Sequence, residues 1–291
     1  MDNKPNLFIV GFARAGSTAL ASYLSQHPQI FVPAIKEPHF FYPFNKTPQW
    51  INLPLYKYDI KEYNNLYKHK ISYKYRVDAS VSYTFYNGIA KRIKEYNPSA
   101  IIILIIRDGL QRIVSAYNFT YPYHKINDIN QWIERHFRPQ LDTFLMYEKV
   151  IEYHKIFDGN LIILRHNDLK NNPQEIVTSL LHRLGLEPIK IKEEDKNAPL
   201  VNFNDYIIKR EFLSFIIKLS FKIRKFSKLV GLENEYVSFM MHLREIFLDR
   251  YIKKSDAKLL VERIPTDISN IVNEDYMKIY EYATQKMLIL Q

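Results

Sequence analysis

Cysteine is missing from all 291 residues. Its absence excludes disulfides, thiolate metal sites and cysteine nucleophiles together, and it fits a reducing cytoplasm. No cluster of histidines and carboxylates at ligand spacing stands in, so no metal is expected. Nor is there an uninterrupted apolar run of the roughly 18 residues that cross a bilayer. Met1 to Pro5 do not open the basic, apolar and small-residue succession of a signal peptide, and the expectation is a cytoplasmic protein that is not secreted. Helix-turn-helix, zinc-finger and RNA-binding signatures are missing too, as are internal repeats, low-complexity tracts and convincing linkers. Acidic residues are too few to balance the basic ones: 31 Asp and Glu against 41 Lys and Arg leave a formal charge of +10. That excess favours an anionic partner, a role that nucleic acid, a lipid surface or a phosphate-bearing small molecule would fill equally well.

Hydrophobic residues at 47% and charged residues at 25% mark a globular chain rather than a disordered one. Leu7 to Val10 reads as a short buried strand ended by Gly11, and Ser17 to Gln26 as a helix with Leu20, Tyr23 and Leu24 on one face, stopped at His27-Pro28. Residues 35 to 75 are rich in proline and tyrosine without clean periodicity, which suits loops and short helices over the mouth of a sheet. Tyr75 to Ala79 is a second short strand, and Asn87 to Tyr96 a helix with Ile89 and Ile93 inward. Ala100 to Ile106 is apolar throughout, the character of a central parallel strand covered on both faces. A helix resumes from Leu110 to Asn118, Leu161 to Leu164 supplies another strand, and Asn171 to Leu184 another helix, opened by Pro173 and capped by Gly185. Strands alternating with helices at these distances indicate an α/β fold around a mostly parallel sheet. The chain reads as one domain over residues 1–291. Its core runs from about 6 to about 186, with a helical, basic elaboration from about 200 onward.

The stretch after the first strand carries the chemistry. Gly11 and Gly16 bracket four residues and Ser17-Thr18 follow, as in the first half of a Walker A loop. Walker A places a lysine directly after its second glycine, to reach the terminal phosphates; Ser17 stands there, and the cation lies inside the loop at Arg14. That displacement argues against an ordinary nucleoside-triphosphate hydrolase. A plain strand-to-helix turn needing two glycines is the bland reading of the same residues. The arrangement resembles the sulfotransferases that use 3′-phosphoadenosine 5′-phosphosulfate (PAPS), whose 5′-phosphosulfate loop has a lysine or arginine two residues before a Gly-Thr or Gly-Ser pair. The resemblance implies that Arg14, Ala15, Gly16, Ser17 and Thr18 hold the donor's 5′-phosphosulfate at a helix start. Most relatives place lysine where this chain has Arg14; arginine keeps the charge and presents a fork.

Lys36-Glu37-Pro38-His39-Phe40-Phe41 comes soon after. A hydroxyl is a poor nucleophile until a base takes its proton, and transfer stalls unless the departing oxygen's charge is stabilised. One carboxylate and one ammonium meet both needs. His39 is a competing base, and the segment also suits a purely structural loop. The hexapeptide resembles the Lys-Glu-x-His-Phe-Phe segment of glycan sulfotransferases, including those acting on heparan sulfate. This implies Glu37 as general base and Lys36 as a cation at the sulfuryl group, with Tyr42 where an aspartate often follows.

After the central strand come Arg107, Asp108, Gly109, Arg112 and Ser115. Arg107 at the strand's carboxyl end and Ser115 two helical turns on can face one anion; an arginine paired with Asp108 is the alternative. The spacing looks like the family's 3′-phosphate motif, Arg-x-Pro-x-x-Arg-x-x-Ser, with Gly109 in place of proline. That implies Arg107 and Ser115 as ligands of the donor's 3′-phosphate. Arg165 to Leu169 also resembles a later Glu-Asp-Leu segment of the family, in which Asp168 would fix a turn.

Spread over roughly residues 6 to 186, the resemblance implies a three-layer P-loop-like fold and a catalytic set of Glu37, Lys36 and Arg14. The activity it implies is sulfuryl transfer from PAPS, a co-substrate, to the hydroxyl of a small-molecule, glycan or lipid acceptor, a carbohydrate or glycolipid first among them. A P-loop-type small-molecule kinase and a non-enzymatic anion- or nucleic-acid-binding protein are the alternatives, nucleic acid being unexpected without a signature. Tyr206 to Gly231 alternates Lys209, Arg210, Lys218, Lys222, Arg224, Lys225 and Lys228 with apolar residues. Such a helix caps the domain with its lysines in solvent, binds an acidic glycan, or rests on an anionic membrane at its inner face.

Overall fold

Isoleucine and leucine at every position of Ile101–Ile106 leave no polar face to turn toward water, so this strand must be covered on both sides. In the computed structural model, which describes residues 4–33, 37–43, 58–68, 70, 72–124, 126–192, 207–208, 252–253 and 257–290, it lies inside a five-stranded sheet. Ile102 to Ile106 are at most 1% exposed, and burial of each such side chain contributes about 1.5–3 kcal/mol before entropy is counted. The strands are β1 (Leu7–Gly11), β2 (Ile30–Phe31), β3 (Tyr75–Asp78), β4 (Ile101–Ile106) and β5 (Leu161–Arg165), in the order β2-β3-β1-β4-β5. All pairings are parallel; β1 meets β4 from Leu7 opposite Ile101 to Gly11 opposite Ile105, and β4 meets β5 from Ile102 opposite Leu161 to Ile106 opposite Arg165.

Parallel neighbours require crossovers, and helices supply them. They are α1 (Ser17–Ser25), α2 (Ile60–Asn65), α3 (Ile89–Tyr96), α4 (Gly109–His124), α5 (Tyr147–Phe157), α6 (His166–Asn171) and α7 (Pro173–Arg183). The chain leaves β1 toward β2 and β3 on one side, then returns to lay β4 on the other. That reversal between β1 and β4 opens a crevice at the strands' carboxyl ends, the usual ligand site of an open α/β sheet.

Sequence periodicity located the strands β1, β3, β4 and β5 and the helices α1, α3 and α7 to within a few residues, and α4 runs past Asn118 to His124. It did not find β2, whose two residues are too short for a pattern, nor α5 and the short helical turns between 129 and 144. The expected basic helix from Tyr206 is contradicted at its second and third positions. Ile207–Ile208 is extended and pairs antiparallel with Ile252–Lys253, where two β-branched neighbours favour a ladder. The rest of the 206–231 stretch lies outside the described residues.

The last helices, α8 (Ala257–Glu262) and α9 (Thr266–Gln285), lie on the α/β unit. Ile268 and Val272 of α9 join Ile113, Val114 and Tyr117 of α4 in one buried cluster, while Ile279 and Ala283 join the main core. The chain then reaches the free edge of β5: the Ile163 N–H donates to the Leu288 carbonyl and the Leu290 N–H to the Ile163 carbonyl, both at 2.9 Å. Packing of α9 explains Gly109. A Cβ there would stand 2.7 Å from the Val272 carbonyl oxygen, so neither alanine nor the proline of the usual motif fits without moving α9. Gly109→Ala is expected to cost about 1–3 kcal/mol in urea unfolding; an unchanged midpoint would show that α9 yields freely.

Candidate functional site

The loop after β1 is shaped by close approach. Gly11 lies so near β4 that a Cβ would collide with the Ile105 backbone. The Phe12 N–H donates to the Ile105 carbonyl at 3.0 Å, the Ala15 N–H turns back to the Phe12 carbonyl at 3.1 Å, and the Leu20 N–H to Gly16 at 3.0 Å starts α1. Arg14 and Gly16 have φ of 67° and 95°. Left-handed residues alternating along a turn curl successive N–H groups into an anion-binding concavity. No acidic residue occupies the first turn of α1 and no side chain caps it, so the helix dipole at Ser17 is not opposed from within the helix. Ser17 is buried and Thr18 exposed.

Two side chains from other strand ends hold the loop's carbonyls. Arg107, just beyond β4, donates through Nη1 to the Arg14 carbonyl. His166, just beyond β5, places Nδ1 3.0 Å from the Ala15 carbonyl. A carbonyl only accepts, so that nitrogen carries the proton. Burial, then the nearby Arg107, pushes the imidazole down to about 4, keeping it neutral. Arg14 in turn reaches across the crevice, its Nε 3.4 Å from the Ser115 hydroxyl, which is fully buried on α4. Arg14, Arg107 and Ser115, read from two segments about a hundred residues apart, thus form one connected group.

Arg112 matches the same spacing but goes elsewhere. Its guanidinium lies 3.9 Å over the Phe12 ring and donates through Nη2 to the Phe144 carbonyl at 3.0 Å. Burial lowers its pKa to about 10. It props the loop from beneath.

The segment from Glu37 to Pro43 crosses the end of β3. Phe40 stacks on Tyr63 at 4.2 Å and Phe41 is 3% exposed in the core, so these two anchor the segment. His39 stays nearer the surface: Nε2 is 3.4 Å from Glu37 Oε2, and Nδ1 is 2.7 Å from the Ser82 hydroxyl. The two competing bases are therefore neighbours in one array. Lys36 lies outside the described residues. Later in the chain, Asp168 accepts from Arg165 Nε at 2.5 Å at the start of α6, in keeping with a turn-fixing role.

Two residues of this region had no role in the sequence reading, Asp78 and His166. Asp78 is fully buried and accepts from the hydroxyls of Tyr63, Ser80 and Tyr83 at 2.7, 2.6 and 2.9 Å. A polar residue at the carboxyl end of a buried strand was the available signal for both.

Residues 4–206 match the family model of the sulfotransferase domain. The chain belongs to the sulfotransferase family. A membrane-associated sulfotransferase of Dictyostelium discoideum, kil1, is 27% identical over 138 residues, 47% of this chain and 26% of that protein. This chain therefore spans about a quarter of that relative's length. The crystal structure of a sulfotransferase from Alicyclobacillus acidocaldarius superposes with a TM-score of 0.57 at 25% identity, covering 69% of this chain and 94% of that one. Among the described residues of the chain, no helix is long and apolar enough to cross a membrane.

Proposed function

We propose that this protein moves a sulfuryl group from PAPS to an acceptor hydroxyl, with Glu37 as general base. The observation that carries the reading is the contact of Arg14 with Ser115, reinforced by Arg107 on the Arg14 carbonyl. It brings the two segments proposed to bind anions together at one end of the sheet, which suits a donor with separate 5′ and 3′ anionic groups. The residues present fit such a donor: a helix start without its own acid, a curled N–H loop, and two arginines. The donor, when bound, supplies an activated sulfuryl group on a phosphate leaving group.

In this reading Arg14 with Ala15, Gly16, Ser17 and Thr18 holds the phosphosulfate, and Arg107 with Ser115 the 3′-phosphate. Glu37 takes the acceptor's proton as the new oxygen–sulfur bond forms and the bond from sulfur to the phosphate oxygen breaks. Arg14, with Lys36, balances the charge that develops on the departing oxygen. A sulfuryl group carries less charge than a phosphoryl group, so cationic side chains suffice.

A carbohydrate or glycolipid hydroxyl is the proposed acceptor, because the Lys36-to-Phe41 segment resembles that of glycan enzymes. Cytoplasmic residence with peripheral membrane contact through 206–231 accords with the charge and with the membrane association named for the Dictyostelium relative. The test is thermal shift with adenosine 3′,5′-bisphosphate against ATP and Mg²⁺, followed by transfer assays on saccharide acceptors. Stabilisation by the bisphosphate, by several degrees at 100 times its Kd, is expected. A preference for ATP with Mg²⁺ would make the protein a kinase instead.

A further inference from the structure

We propose that Asp78 is a positioning residue that, through Ser80 and Tyr83, sets the geometry of the segment carrying Glu37 and His39. This rests on the reading of Glu37 as base and concerns what aims that base. The Ser80 and Tyr83 hydroxyls each point at the buried Asp78 carboxylate, at 2.6 and 2.9 Å. A hydroxyl has one proton; having donated it to the carboxylate, each oxygen can only accept from other groups.

What they accept is the backbone of the base segment. The His39 N–H donates to Ser80 Oγ at 3.2 Å and the Phe41 N–H to Tyr83 Oη at 3.4 Å. One carboxylate therefore dictates the direction of both clamps, and a charged acceptor polarises the hydroxyls that relay it. The segment needs such holding. His39 has a φ of 53°, a region that residues with a Cβ adopt only when their surroundings over-determine them. This turn places its imidazole between Glu37 Oε2 and Ser82 Oγ, at 3.4 and 2.7 Å.

Ser82 and Tyr83 lie on the helical turn Val81–Thr84, directly after Ser80. Thr84 of the same turn donates to the Gly11 carbonyl at 2.7 Å. The turn thus ties the base segment to the start of the donor loop, with Asp78 at its root. An amide at position 78 would offer one oxygen and an NH₂ group, which is itself a donor. At least one hydroxyl would then have to accept there and turn its proton elsewhere, which removes the charged anchor and loosens its hold on the backbone N–H. Phe40 and Phe41 stay anchored among aromatic rings, so what changes is the aim of Glu37 and His39.

Two readouts on the full chain test this. With PAPS and a p-nitrophenyl glycoside as acceptor, Asp78→Asn and Ser80→Ala are each expected to lower kcat by about 10-fold or more. The Kd of adenosine 3′,5′-bisphosphate should stay within about twofold. In a Glu37→Gln background the same substitutions should lower the residual rate by less than about threefold, because residues acting through one group are not additive. Equal losses in both backgrounds, or a parallel loss of nucleotide affinity, would overturn the proposal in favour of general destabilisation.

The second readout needs no turnover. The ring ¹⁵N signals of His39, assigned with His39→Gln, are expected to shift in Asp78→Asn and Ser80→Ala while those of His166 hold still. Unmoved His39 signals overturn the proposal. If His39 responds but the wild-type chain neither binds the bisphosphate nor turns over PAPS, it is the sulfotransfer reading that fails, and the clamp by Asp78 stands.

Discussion

Glu37→Gln is expected to lower kcat by about 10²- to 10⁴-fold, the usual worth of a general base, while leaving the affinity for adenosine 3′,5′-bisphosphate within about twofold. Glutamine has nearly the shape of glutamate and keeps an oxygen for His39 Nε2, now 3.4 Å from Glu37 Oε2. It cannot take a proton. The comparison that assigns the base is His39→Gln, because the two side chains touch and either could receive the acceptor's proton. If Glu37 is the base and His39 its support, the histidine variant loses about 10-fold. A larger loss in His39→Gln than in Glu37→Gln would transfer the role to His39. Unchanged turnover in Glu37→Gln would remove the carboxylate from the chemistry altogether.

Stability against acid is expected to depend on His166. Its ring is 2% exposed and committed to the Ala15 carbonyl. Burial, followed by the charges of Arg107 and others, lowers its pKa from 6.5 to about 4. Between those values the unfolded chain binds a proton that the folded chain refuses. Stability therefore falls as pH falls through that window, by about 3 kcal/mol at its lower end.

Asp78 works in the opposite sense. Burial, and to a lesser degree the charge of Glu37, raises its carboxyl from 3.8 to about 6 against the pull of its hydroxyl partners. There the folded chain holds a proton that the unfolded chain has lost, so this contribution declines as pH rises. In the wild type the two offset each other over much of the range. His166→Gln keeps an N–H for the Ala15 carbonyl and removes only the first effect. The stability of wild type minus that of the variant, from urea unfolding, should drop by about 3 kcal/mol between pH 7 and pH 4. A constant difference would mean that His166 titrates alike in both states.

The loop after β1 was legible because its shape is local. Arg14, Gly16 and Ser17 are consecutive or nearly so, and a strand end, a turn and a helix start suffice to curl their N–H groups inward. Arg107 and Ser115 were legible through strand and helix spacing. Arg112 obeys that spacing too, yet lies beneath the loop, since the buried faces of Phe12 and Phe144 offer its guanidinium a place that sequence distance does not reveal. Asp78 and His166 look like ordinary polar residues at strand ends. What they do comes from Tyr63, Tyr83, Glu37, Ala15 and Arg107, which other parts of the chain deliver.

By itself the sequence determined that an apolar, mostly parallel sheet would form and that a glycine-bracketed turn would join its first strand to a helix, because apolar runs and turn residues act over a few positions. The tertiary structure decided the rest. The order β2-β3-β1-β4-β5 makes neighbours of strand ends that are distant along the chain. That adjacency sets Arg14 against Ser115, puts His39 between Glu37 and Ser82, and buries Asp78 behind them. Which strand lies beside which follows from how whole faces pack, a property no short stretch of residues carries.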